Sequence, residues 1–323
     1  MAFGRRLFNG SFADFDRLLA VYGNAAIEHR HSCVPIEWYA HDHGLGERNR
    51  LYIDNAVTLL ARAAEAALAA AGVAAGAIDA LVTVSTTGIA TPSLDALLME
   101  RMNFRRDVQR LPIFGLGCAG GVLGLARAAS LVRAMPGARV LFMVVELCAL
   151  TFRPADRSKS NLIATALFGD GAAAAVIGDG YGPAIAGAAE HTWPGSLDVM
   201  GWEIADDGFG VLFSRDIPRL VRERMRGAAE TALAGQGLGL DDIDDFICHP
   251  GGAKVIDALE DAYGLARGGL AQCRAVLRDH GNMSAATVMF VLDRMLPLAA
   301  GGRYLLSALG PGFTAAFLTL ETR

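Results

Sequence analysis

Leu111-Pro-Ile-Phe-Gly-Leu-Gly-Cys-Ala-Gly-Gly-Val122 joins a short apolar run to closely spaced glycines and then to an Ala/Leu-rich helical segment that runs to about residue 135. Cys118 therefore stands at a strand-to-helix turn. Free backbone N–H groups and the positive end of the helix dipole favour a thiolate there and lower its pKa, so Cys118 is the expected nucleophile for a carbonyl carbon. Two other readings compete. A cysteine can be a small apolar filler. Gly115, Gly117 and Gly120 also spell G-x-G-x-x-G, and the following strand, 139–146, ends in the acid Glu146, as a dinucleotide site requires.

Working outward, residues 54–71 read as a helix capped by Gly72, 78–85 as a strand and 94–102 as another helix. Residues 168–178 are a glycine turn feeding a buried strand, and 179–215 are irregular and hairpin-rich. From Pro218 the pattern restarts: helix 218–234, strand 243–249, the turn His280-Gly-Asn-Met-Ser284, helix 285–296, strand 303–308. Cys118 and Arg139 are 21 residues apart, as are Asn282 and Arg303; Asp79 to Cys118 is 39 residues and Asp244 to Asn282 is 38. The chain reads as a duplicated α/β unit, residues 1–180 carrying the cysteine and 181–323 the histidine and asparagine. Pseudo-two-fold packing would set the helix N-termini at Cys118 and Asn282 face to face, with His249 at a strand end beside both. The second copy keeps the turn but not the glycines, which weakens the dinucleotide reading.

Composition narrows the classes further. The chain has 323 residues, 53% of them hydrophobic, which fits sheets covered on both faces by Ala-rich helices and a subunit interface besides. A net charge of −5 without a basic block argues against nucleic acid as a partner. The start, Met1-Ala-Phe-Gly-Arg-Arg-Leu-Phe, lacks the apolar core of a secretion signal, and no apolar run is long enough to span a bilayer, so a cytoplasmic protein without membrane insertion is expected. Five scattered cysteines argue for reduced thiols. Glu28-His-Arg-His31 and His41-Asp-His43 lack a third ligand nearby, so no metal is expected.

Cys118, His249 and Asn282 form a plausible acyl-transfer set. His249 can take the thiol proton and hold an ion pair with the thiolate, and Asn282 can donate to a developing oxyanion. Two chemistries fit: a papain-like hydrolase of thioesters, in which the Asn orients the His, or a decarboxylative condensing enzyme, in which His and Asn stabilise an enolate formed from a malonyl thioester.

The motifs resemble a known family. Gly117-Cys-Ala-Gly-Gly121, Glu146-Leu-Cys-Ala-Leu-Thr-Phe-Arg153, Ala166-Leu-Phe-Gly-Asp-Gly-Ala-Ala-Ala174, His249-Pro-Gly-Gly252, Gly281-Asn-Met-Ser284 and Gly310-Pro-Gly312 look like the motif series of type III polyketide synthases, the chalcone synthase-like branch of the thiolase fold. The resemblance runs from about residue 15 to the end. His-Pro-Gly-Gly with Gly-Asn-Met-Ser sets this family apart from ketoacyl synthase III enzymes, which perform a single condensation and are the nearest alternative.

The resemblance implies an αβαβα layered homodimer that needs no cofactor and takes malonyl-CoA and an acyl-CoA starter as substrates. It makes Cys118 the acyl carrier, His249 and Asn282 the decarboxylation pair, and Phe168 the gatekeeper between CoA tunnel and cavity. Thr86, Cys148, Thr151, Ala164, Ser284, Gly310 and Pro311 fall where the family lines its cavity. Val211 falls near a second gatekeeper that is Phe in plant enzymes, and the smaller side chain predicts a long fatty-acyl starter and an alkylpyrone or alkylresorcinol product. Of the plant CoA-anchoring basic residues only Arg17 is in place, with Lys254 a further candidate. The cysteine motif is one residue shorter than the plant form, which points to a bacterial type, and an N-terminal strand usual in relatives is not evident in the sequence.

Overall fold

The computed structural model describes residues 22–153, 156, 158–180 and 182–323. Helix α1 (Leu45–Ala71) buries Tyr52, Ala56, Leu60, Ala64 and Leu68 along one stripe and ends at Gly72, whose φ of +63° suits a residue without a Cβ. It begins nine residues before the expected start. The reason is Arg48: it reads as surface, yet it is buried and donates to the carbonyls of His43, Leu150 and Phe152.

The first sheet follows. Strand β1 (Ala80–Val84) lies between β2 (Gln109–Ile113) and β3 (Val140–Leu147), parallel to both, and β4 (Asp170–Ile177) adds antiparallel to β3. Between these strands come the short helix α2 (Leu94–Leu98), helix α3 (Gly120–Ala134) and helix α4 (Lys159–Leu167). β2 is not a buried strand: Gln109, Arg110, Leu111 and Pro112 are exposed, and it forms one edge of the sheet. β4, read as buried, is only partly so.

The second half repeats the scheme. Strand β5 (Ala184–Thr192), the hairpin β6 (Met200–Ala205) and β7 (Gly208–Phe213), and helix α5 (Ile217–Ala234) lead into β8 (Asp245–Cys248). Helices α6 (Ala253–Tyr263), α7 (Ala271–His280) and α8 (Thr287–Met295) precede β9 (Arg303–Gly310) and β10 (Thr314–Glu321). The sheet order is β5-β10-β9-β8, with β8 and β9 parallel and β9 and β10 antiparallel, as β1, β3 and β4 are in the first half. The duplication read from residue spacing is thus matched in the direction and order of three strands in each sheet, while the fourth strands differ, β2 lying beside β1 and β5 beside β10.

The layers stack α, β, α, β, α. Helix α3 is the middle one, packing on β1 and β3 on one side and on β5, β9 and β10 on the other. Burial from both sides explains why Gly120 to Ala126 carry no charge. The glycines here are spacers between halves. A Cβ on Gly120 would stand 2.7 Å from Val84 and 3.1 Å from Ala285, and one on Gly121 would collide with the Ala285 carbonyl oxygen. Among the described residues no helix is long and apolar enough to cross a membrane.

Gly121→Ala should therefore destabilise by at least the ~1–3 kcal/mol of an overpacked core. Gly227→Ala, in α5 with open space around its missing Cβ, should be neutral or stabilising by up to ~1 kcal/mol. Thermal unfolding of the two variants side by side checks this.

Candidate active site

Cys118 lies in a single 3₁₀ turn, Gly117–Ala119, directly before α3. The turn is fixed from two sides: the Gly117 N–H donates to Thr86 Oγ1 at 3.0 Å, and Pro311 packs where a Gly117 side chain would be. Gly310 is equally close, facing the Leu116 carbonyl and Ala119. Thr86, Gly310 and Pro311 thus hold the nucleophile's turn.

The matching turn of the second half, Ser284–Ala286, precedes α8 and carries Asn282 just ahead of it. Asn282 is buried, and its amide orientation is set: Oδ1 accepts the Ser284 N–H at 2.8 Å, and Nδ2 donates to the Gly251 carbonyl at 3.1 Å, which leaves one N–H of the amide. Ser284 takes a left-handed φ of +48° and stands 3.7 Å from the Cys118 sulfur. His249 follows β8, its backbone N–H on the Ser307 carbonyl. Its ring is buried, with neither nitrogen hydrogen-bonded.

Cys118, His249 and Asn282 line one cavity, as the duplication predicted. Most of the remaining wall is apolar, with Met200, Phe213, Ile217, Met225, Val255 and Leu259 among its residues, and Ser307 adds a polar side chain. These residues do not stand out in the sequence, because a helical stripe such as Val255 and Leu259 reads as ordinary core.

The electrostatics correct one expectation. Burial raises the Cys118 thiol to about 12, outweighing the Ser284 and Asn282 hydrogen bonds that favour the thiolate, and the charge of Glu146 adds to the rise. Burial also depresses His249 to about 4. Burial thus favours the neutral thiol and the neutral imidazole over the charged forms of the expected ion pair. Glu146, fully buried at the end of β3, accepts from the Thr86 N–H at 3.0 Å and the Thr87 hydroxyl at 2.9 Å. Burial nonetheless pushes its carboxyl up to about 8.

Glu146 thus props the Thr86 loop from inside and is no ribose ligand. With the glycines spent on packing, the dinucleotide reading falls. The papain-like reading falls too, because the Asn282 side chain bonds Gly251 and Ser284 and not His249.

The other expected residues spread around this centre. Phe168, which caps α4, forms an isolated parallel bridge with Asn282, and its ring lies 6.2 Å from that of Trp202, tilted by 46°. Cys148 and Thr151 lie buried in the turn after β3, where the Thr151 hydroxyl donates to the Cys148 carbonyl. The Ala164 carbonyl receives the Phe168 N–H, and Val211 pairs across the hairpin with Trp202. Lys254 is exposed in the first turn of α6, beside the cavity residue Val255. Arg17 lies outside the described residues. His43 stacks on Trp38 at 3.9 Å and bonds Glu47, and among the described residues no group of three acidic, His or Cys side chains is placed to hold a metal.

Comparison with known proteins follows the same division. Residues 36–181 match the family "Chalcone and stilbene synthases, N-terminal domain", and 184–321 match its C-terminal domain. The 1,3,6,8-tetrahydroxynaphthalene synthase of Streptomyces peucetius subsp. caesius is 42% identical over 320 residues, covering 96% of this chain and 84% of that protein. The 3,5-dihydroxyphenylacetyl-CoA synthase of Amycolatopsis balhimycina is 31% identical, covering 94% and 85%. The crystal structure of 1,3,6,8-tetrahydroxynaphthalene synthase from Streptomyces coelicolor A3(2), a bacterial type III polyketide synthase, superposes with a TM-score of 0.94 at 29% identity, covering 99% and 93%.

A raised Glu146 pKa means the folded protein binds a proton that the unfolded chain releases above its own value of about 4.5. That contribution to stability is complete below pH 4.5 and is lost as pH rises through about 8. Glu146→Gln should hence raise the melting temperature more at pH 8.5 than at pH 5, a difference that scanning fluorimetry at the two pH values reads directly.

Proposed function

The chain belongs to the chalcone and stilbene synthase family of type III polyketide synthases, and from that premise we propose that it extends a fatty acyl-CoA starter with malonyl-CoA on Cys118 and cyclises the product to an alkylpyrone or alkylresorcinol. The observation that carries the reading is the meeting of Cys118, His249 and Asn282 on one apolar cavity.

In this scheme the Cys118 sulfur bonds to the starter's carbonyl carbon as the bond to the CoA sulfur breaks. The thiol proton passes to the neutral His249 and on to the departing CoA thiolate. Malonyl-CoA then loses carbon dioxide. The electron pair left behind becomes an enolate, whose oxygen accepts from the second N–H of the Asn282 amide, the one turned toward Cys118, and from His249. The enolate carbon attacks the acyl group on Cys118, and the thiolate leaves as a new carbon–carbon bond forms. A neutral imidazole suits both tasks, since it offers one acceptor and one donor nitrogen, and the Ser284 N–H keeps the asparagine amide from flipping.

The apolar wall of Met200, Phe213, Ile217, Met225, Val255 and Leu259 supports an alkyl starter. The 42% identity to a tetrahydroxynaphthalene synthase supports a second reading, a polyhydroxylated aromatic product. Lys254 at the head of α6, with Arg17, is proposed to hold the CoA phosphates. A homodimer is proposed through the open edge of β2, where Leu111 and Phe114 are exposed in the strand and turn that lead to Cys118.

Labelled malonyl-CoA with and without lauroyl-CoA tests the scheme through carbon dioxide release and product extraction. The wild type should release carbon dioxide and give an alkyl pyrone or resorcinol only with lauroyl-CoA. Cys118→Ala should decarboxylate without product, and His249→Ala should lose ~100-fold or more of both. An aromatic product made without lauroyl-CoA selects the second reading; acyl-CoA hydrolysis with malonyl-CoA untouched refutes both.

A further inference from the structure

The parallel bridge between Phe168 and Asn282 uses the groups around Phe168 and leaves those of Phe168 itself pointing outward. The Leu167 carbonyl accepts the Asn282 N–H at 2.9 Å, and the Gly169 N–H donates to the Asn282 carbonyl at 2.9 Å. Phe168's own N–H is met by Ala164 inside α4. Its carbonyl needs a partner from elsewhere in the chain.

That partner is Arg30, whose guanidinium donates to it at 3.1 Å. The stem of Arg30 also covers both glycines of the bridge: its Cβ is 3.1 Å from the Cβ position of Gly169 and 3.4 Å from that of Gly281. The segment around it is tied along the same seam. The His31 carbonyl accepts the Asp170 N–H, the Asp170 carboxylate accepts from Cys33 and Ala149, and the backbone N–H groups of Glu28 and His29 both reach the Arg278 carbonyl at the end of α7. We propose that Arg30 is a positioning residue for the Phe168–Asn282 pair, locking the bridge from outside so that the gate ring and the enolate-binding amide keep a fixed relation. The proposal rests on the roles given to Phe168 and Asn282 above.

Arg30→Met keeps most of the stem and removes the donor; Arg30→Lys restores a donor of similar reach. In Arg30→Met, amide hydrogen exchange at Gly169 and Asn282 should quicken about three- to tenfold, the size of one lost hydrogen bond, while amides in α3 stay unchanged, and lysine should restore part of the protection. Malonyl-CoA decarboxylation should fall in kcat by a similar factor with KM nearly constant. Wild type and Asn282→Ala run alongside. If the wild type fails to decarboxylate, the assigned reaction fails while the exchange measurement still decides on Arg30. Unchanged exchange at the two bridge amides overturns the proposal. So does a rise in KM for malonyl-CoA at constant kcat that disappears with dephospho-CoA esters, since that pattern marks a phosphate contact.

Discussion

The two halves of this protein meet backbone to backbone at the turns that start α3 and α8, and the rest of the arrangement depends on that approach. It is possible because Gly120 and Gly121 have no side chains to hold Val84, Ala285 and Val288 away. With the turns in contact, Cys118 from one half and Asn282 and Ser284 from the other share one small volume, and β8 delivers His249 beside them. The glycines that resemble a phosphate loop in the sequence serve a different end: they let one helix be a core element for two sheets.

The bridge between Phe168 and Asn282 extends the same contact along the seam. Two residues more than a hundred positions apart are joined by backbone hydrogen bonds, as if they were neighbours in a sheet. Phe168 and Asn282 are therefore held together in one small piece of backbone. The β6–β7 hairpin, a separate two-stranded sheet bearing the half-buried Trp202 and Val211, meets this piece through the Trp202 ring beside Phe168.

Much of the fold was legible because it is written twice. Equal spacings around Cys118 and Asn282 showed the duplication, and β1, β3, β8, β9, α3 and α8 all fall within a few residues of where the pattern put them. The meeting of Cys118, His249 and Asn282 was legible for the same reason. Less visible were features that depend on burial. Arg48 is charged yet buried within α1, and the apolar run before Gly115 lies open at a sheet edge as β2. Glu146 looked like the acid at the end of a nucleotide-binding strand, and only its contacts with Thr86 and Thr87 show that it points inward. The thiol's pKa went the wrong way for a related reason. A helix N-terminus is visible in sequence, whereas the desolvation that outweighs it depends on neighbours from the other half.

A nucleophile that rests near pKa 12 is chemically quiet. Peroxides and alkylating agents attack the thiolate, the form that burial disfavours here. Packing against the second half therefore disfavours the form of Cys118 that oxidants attack. The reactivity is summoned by a thioester placed against the sulfur beside an imidazole free to take its proton. Selectivity between substrate and oxidant is thus built into the burial of one turn.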